Sequence, residues 1–155
     1  MDDADADEGV FSYESSYLEC FIELGVAGSH ILSVDFPDAP TATADAEHPL
    51  LDRVEAYLEG ETEEFADVEI ALSAATADHD ILEALRDVPY GEEVNCEEVA
   101  QLAAMDPSDQ AVLQRVREAL AENPTPLLVP DHRVRDGPSA APPAVEQRLR
   151  SLEGL

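Results

Sequence analysis

Three chemically capable side chains stand in a row near the C-terminal end: Asp131, His132 and Arg133. They follow Asn123-Pro-Thr-Pro-Leu-Leu-Val-Pro130, where Asn-Pro is a helix-stop signal and the proline-bounded apolar run makes a rigid approach. Asp131 and His132 can act as an acid/base or binding pair, or as a salt bridge that only holds a helical lobe together. The salt bridge is the expected state. Gln114, Arg115 and Arg117 form a second group on a helical pattern. Gln reads adenine edges, and Arg reads guanine or neutralises phosphate. Glu118 and Glu122 lie in the same helix, so the group is equally readable as a solvated, ion-paired face. Gln114 and Arg117, three apart, share one face. Cys96 is a third candidate, because a helix N-terminus lowers a thiol pKa. Nothing else in the sequence activates it, so a small residue opening a helix is its expected role. His30, His48 and His79 have no partnered spacing and read as solvent or strand histidines.

Composition narrows the chemistry. Of 155 residues, 36 are acidic and 8 basic, for a net charge of -28, and all eight basic residues are Arg. An apolar content of 45% argues against disorder of the whole chain. An acidic, lysine-free surface spread along the chain points to a cytoplasm of very high salt, rather than to a tail that binds a basic partner. Residues 1–85 hold 23 acids and one Arg, while residues 86–155 hold 13 acids and seven Arg. An anionic partner is therefore better tolerated by the second part. Cys20 and Cys96 are far apart and form no ligand-spaced pair, so no disulfide, zinc site or other cofactor is expected. No apolar run has membrane-spanning length, and Met1-Asp-Asp-Ala-Asp-Ala-Asp-Glu8 is the opposite of a signal peptide. The expected location is the cytoplasm, with no membrane partner.

The elements that must position these residues follow from periodicity and punctuation. Residues 1–9 read as an acidic tail. From Tyr17, Leu18, Cys20, Ile22, Leu24 and Val26 alternate with Glu19 and Glu23, a half-buried strand with Cys20 on the core face and the glutamates in solvent. A turn over residues 25–29 leads to a returning strand from Ile31 to Phe36. Leu51, Val54, Tyr57 and Leu58 mark a helix that stops at Gly60, and Val68, Ile70 and Leu72 a further strand. These make an α/β lobe over residues 10–75. Residues 76–155 read as a helical lobe. One helix covers Ile81, Leu82 and Leu85, and Asn95 with Glu98 is a capping box opening the next. Asp106-Pro107 starts a third, striped by Val112, Leu113, Val116, Ala119 and Leu120. A last helix runs from about Pro143 to Leu152. The fold class is α+β, and the paired helices before an extended run suggest a helix-turn-helix with a small wing.

Val88-Pro-Tyr-Gly-Glu92, Asn123-Pro124 and Val129-Pro130-x-His132-Arg133-Val134 occur in the order and at the separation found in alkylguanine-DNA alkyltransferases. From about Ile81 onwards the chain resembles that family. The resemblance implies a small ribonuclease-H-like α/β lobe followed by a winged helix-turn-helix lobe. It also implies a site in which a cysteine, activated by the following histidine and a glutamate of the last helix, takes the alkyl group. By this matching Asp131 stands at the acceptor position. His132, Glu153 and the hinge residue Asn123 are kept. Gln114 falls where the family places a base-displacing arginine, beside Arg115, and Arg117 falls where it places a glycine. Cys96 replaces a phosphate-binding tyrosine, and Arg133 is counted with the DNA-contacting residues. The segment Arg135-Asp-Gly-Pro-Ser-Ala-Ala-Pro-Pro143 is shorter than the family's pocket loop and has no aromatic residue. The implied partner is double-stranded DNA, alkylated DNA included, with no further protein partner indicated. The implied function is non-catalytic binding or lesion sensing. The alternative is an interaction module that lost DNA, and the outlying reading is a residual transferase forming a hydrolysable ester on Asp131.

Overall fold

The computed structural model describes residues 9–28, 30–41, 48–71 and 79–155. Residues 1–8 of the expected tail, Ser29, Leu72 and the expected lobe boundary lie outside the described residues.

Three antiparallel strands, β1 (Gly9–Ser15), β2 (Cys20–Ala27) and β3 (His30–Asp35), form a sheet in chain order. Alternation turns Ile22, Leu24 and Val26 of β2 to the same buried face as Phe11, Ile31 and Val34. β1 lies next to the acidic N-terminus and was not expected. The strand expected from Tyr17 begins at Cys20, because residues 16–19 form the turn, with Glu19 at a left-handed φ of 61°. Glu23, expected in solvent, is 9% exposed. Its carboxylate is tolerated there because it accepts hydrogen bonds from the Thr41 backbone N–H and hydroxyl. Cys20 is half-buried rather than a core residue.

Helix α1 (Pro49–Leu58) lays Leu51, Val54, Tyr57 and Leu58 into the core. Its cap is His48, whose Nδ1 accepts from the Leu50 N–H at 3.0 Å, so this histidine has a structural partner after all. Among the described residues, the strand expected at Val68 to Leu72 shows one parallel bridge, between Ile31 and Ile70.

The second half holds α2 (His79–Leu85), α3 (Cys96–Leu102), α4 (Gln110–Ala121), a 3-10 turn (Asp131–Arg133) and α5 (Pro143–Glu153). The capping box forms as the sequence indicates: Asn95 Oδ1 accepts from Glu98 N–H, and the Glu98 carboxylate accepts from Asn95 N–H. Helix α4 starts later than Asp106-Pro107 suggests. Asp106 is drawn into a turn by Ser108, and Asp109 is the cap, accepting from the Ala111 N–H. One continuous core joins both halves, from Ile22 and Leu24 through Tyr57 and Leu85 to Val116, Leu120 and Leu149.

The helix start is testable. Asp109→Ala should cost about 1 kcal/mol of unfolding free energy. Pro107→Ala, outside the helix, should cost less than about 0.5 kcal/mol. Denaturant titration in molar KCl reads both.

Candidate functional site

Asn123 does more than end α4. Its side-chain oxygen accepts from the Thr125 N–H, and its amide donates to the Val129 carbonyl and to Asp131 Oδ2, at 3.0 and 3.1 Å. These bonds fold the apolar approach into a tight turn in which Leu127 takes a left-handed φ of 83°. A bulky residue there costs on the order of 1–3 kcal/mol, which the surrounding bonds and the burial of Leu127 offset.

Asp131 is 1% exposed. Oδ1 accepts from the Ser139 hydroxyl at 2.6 Å, and Oδ2 from the Ala140 N–H at 2.9 Å as well as from Asn123. Gly137 allows this closure. A Cβ there would lie 2.5 Å from Leu120 Cδ1 and 3.2 Å from Cys96 Sγ, so any larger residue would force the buried Leu120 side chain or the loop to shift. Burial pushes the Asp131 carboxyl upward, and the three hydrogen bonds oppose that shift. Each bond to a charged acceptor is worth roughly 1.5–3 kcal/mol against a desolvation penalty of several. The carboxylate is therefore held in place at little net gain.

The expected Asp131–His132 salt bridge does not form. His132 turns instead to Glu153, with Nε2 2.8 Å from Oε2. Glu153 is the centre of the arrangement. Oε2 also accepts from the Tyr57 hydroxyl and Arg133 Nη2, and Oε1 from Arg133 Nε and the Gly91 N–H. Gly91 reaches this position with a left-handed φ of 80°. Burial raises the Glu153 carboxyl, but hydrogen bonds from His132 and Arg133 outweigh it and hold the group well below the usual range. An ionised carboxylate only accepts, so His132 Nε2 is the donor. Its Nδ1 is buried with no hydrogen-bond partner among the described residues. The Tyr57 hydroxyl is pushed far up by burial and by Glu153, and stays a donor.

Two residues expected to meet DNA are withdrawn from the surface. Arg133 is 3% exposed; its guanidinium grips Glu153 and the Val88 carbonyl and lies over the Tyr90 ring. Cys96 is 1% exposed, and its thiol is pushed up to about 11 by burial and by Asp136. So placed, the thiol is closed off from solvent and is not activated. On α4, Gln114 and Arg117 are exposed and Arg115 is half-buried. Gln114 Nε2 donates to Glu118 at 3.3 Å. The site thus gathers Asn123, Asp131, His132, Arg133 and Glu153, and leaves the α4 face separate.

Sequence reasoning missed Tyr57, Ser139, Ala140 and Asp136. Asp136 Oδ1 accepts from the Cys96 N–H, tying the loop to α3. It also missed Arg150, which donates to the His132 carbonyl and to Glu93. Only Asp136, a short acid before Gly-Pro, carries a local signal. Among the described residues no group of three or more His, Cys, Asp or Glu is placed to hold a metal ion, and no helix is long and apolar enough to cross a membrane.

Comparison with known proteins gives concordant matches in sequence and in fold. The model of the 6-O-methylguanine DNA methyltransferase DNA-binding domain matches residues 76–148. A methylated-DNA–protein-cysteine methyltransferase of Methanopyrus kandleri is 30% identical over 128 residues, covering 79% of this chain and 93% of the relative. Mycobacterium tuberculosis OGT in complex with DNA superposes with a TM-score of 0.69 at 25% identity, over 92% of this chain and 89% of that one. The O6-methylguanine-DNA methyltransferase of Pyrococcus kodakaraensis shares the fold, with a TM-score of 0.65 at 19% identity over 94% and 98% of the two chains.

The two buried carboxylates should respond differently to loss of charge. Glu153→Gln leaves Arg133 buried without a counter-charge and should destabilise by about 3 kcal/mol. The depressed Glu153 carboxyl gives stability that is complete above its ordinary value of 4.5 and lost as pH falls below it. The variant should lose that acid-side slope. The raised Asp131 carboxyl has the opposite sign: its contribution is present below the ordinary value of 3.8 and lost as pH rises through the folded value. Asp131→Asn should therefore cost less than about 1 kcal/mol at neutral pH. Unfolding curves across pH separate the two.

Proposed function

The chain belongs to the 6-O-methylguanine-DNA methyltransferase family, and from that premise we propose that it binds DNA and senses alkyl damage without taking the alkyl group. One observation carries this reading. Asp131, which this reading puts at the acceptor position, is a buried carboxylate with hydrogen-bond donors on both oxygens. Alkyl transfer in this family's manner needs a polarisable thiolate aimed at an alkyl carbon. A hard oxygen that is held by three donors is a poor substitute. The chain's two thiols do not take over, since burial raises both, and Cys96 is sealed in the core.

In this reading the sheet and α1 form the ribonuclease-H-like lobe. Helices α3 and α4 form the helix-turn-helix, with the wing near the bridge between Val94 and Val134. Gln114 and Arg117 are the groove-facing side chains of α4, flanked by Arg115. In a high-salt cytoplasm counterion release adds little affinity, so base and shape contacts must supply it. The N-terminus of α4 offers no phosphate site, because Asp109 already caps it. That acid, with Asp106 beside it and Glu118 on Gln114, favours the second reading, an interaction module without DNA.

Two measurements decide. Intact-protein mass after incubation with an O6-methylguanine oligonucleotide should show no added methyl group on the wild type. Asp131→Cys, which puts a thiol at that position, should gain one. Methylation of the wild type at any residue would overturn the non-catalytic reading. Fluorescence anisotropy in molar KCl should show binding of alkylated duplex, weakened on the order of tenfold or more by Arg117→Glu. Absence of binding at tens of micromolar protein would leave the interaction module.

A further inference from the structure

Asp131 is buried against neutral donors only, and its bonds contribute little net stability. What they join is far from local. Oδ2 accepts from the Asn123 amide, two residues beyond the end of α4 at Ala121. The Ser139 hydroxyl and the Ala140 N–H, which complete the set, belong to the loop that follows the 3-10 turn. Within that loop Gly137 packs on Leu120, in the last turn of α4, and on Cys96, the first residue of α3. One residue earlier, Asp136 Oδ1 accepts from the Cys96 N–H at 2.8 Å. That bond completes the cap of α3, because the Asn95 side chain serves the Glu98 N–H instead. Burial and Asp136 raise the Cys96 thiol, and Arg117 of the exposed α4 face opposes them, which puts its charge near the same junction.

One carboxylate thus holds the end of α4 directly and the start of α3 through a single loop. We propose that Asp131 is a positioning residue for the α4 face: it clasps the end of α4 to the loop that caps α3, and so fixes how Gln114 and Arg117 are presented. The inference rests on the DNA-binding reading above for what that face meets, but not for the clasp itself. The role needs hydrogen-bond partners rather than a charge. An asparagine at this position can meet the same three groups, its oxygen accepting from Asn123 and Ala140 and its NH2 donating to the Ser139 hydroxyl. An alanine can meet none of them. The two substitutions therefore separate the clasp from the mere presence of an acid.

The test combines residue-resolved amide exchange with fluorescence anisotropy on duplex DNA, both in molar KCl. Asp131→Ala should speed exchange at Ala140 and, through the loop, at the Cys96 N–H by roughly tenfold or more. It should also weaken duplex binding by roughly tenfold. Asp131→Asn should bring both back to within about twofold of the wild type. Asp136→Ala should weaken binding to a similar degree, and combining it with Asp131→Ala should add no further loss, since both cut one chain of contacts. If Asp131→Ala does not fold, Ser139→Ala removes a single bond and should shift Cys96 exchange in the same sense. A Cys96 N–H that stays protected in these variants, an Asp131→Asn as impaired as Asp131→Ala, or additive losses overturns the proposal while leaving DNA binding intact. A wild type that binds no duplex removes the DNA reading instead. In that case faster Cys96 exchange that Asp131→Asn reverses keeps the clasp, and unchanged exchange removes it as well.

Discussion

Glu153 accepts from Tyr57, Gly91, His132 and the Nε and Nη2 of Arg133, and the rest of the site depends on it. Four segments that share no local structure are brought to one carboxylate: α1, the turn after α2, the 3-10 turn and the end of α5. The positive charge of Arg133 could not be buried without it. His132 turns its Nε2–H to it, because a carboxylate only accepts. The Tyr57 hydroxyl extends this network into the α1 and sheet half of the molecule.

Asp131 and Glu153 show how two buried acids diverge through their partners alone. Glu153 faces a guanidinium and stays ionised well into acid. Asp131 faces a hydroxyl, an amide and a backbone N–H, and burial dominates its titration. The loop carrying Ser139 and Ala140 closes over it where Gly137 packs tightly on Leu120. Carboxylate and loop are therefore complementary. A bulky residue at position 137 would move both donors away from the acid.

Much of this was legible in the sequence, wherever the signal was local. The capping box at Asn95 and Glu98, the stripe of α4 and the amphipathic α1 are set by neighbours three or four residues apart, and the helix stop at Asn123 by the proline that follows it. The alternation of β2 gave the sheet its buried face. What escaped depends on partners distant in sequence. Glu23 looked solvent-facing because nothing nearby announces Thr41. Arg133 looked available for DNA because its counter-ion comes from the last helix and its second acceptor is the carbonyl of Val88. The Asp131–His132 pair was the natural inference from adjacency. In a 3-10 turn, however, successive side chains point in different directions, and each found a different partner. Pro107 misled for the opposite reason: its local preference for a helix start was overridden by the turn that Ser108 makes with Asp106.

The Tyr57–Glu153 bond joins residues 96 apart in the chain, and the Tyr17–Arg148 contacts join residues 131 apart. Contacts of such range need large loops closed before they return any energy, which slows folding and places them late in it. Until α5 docks, Arg133 and His132 have no carboxylate to be buried against, so the central network cannot form in part. The order of events then follows from electrostatics: the sheet with α1 and the capped helices can form from local signals, and the site locks in the last, least local step.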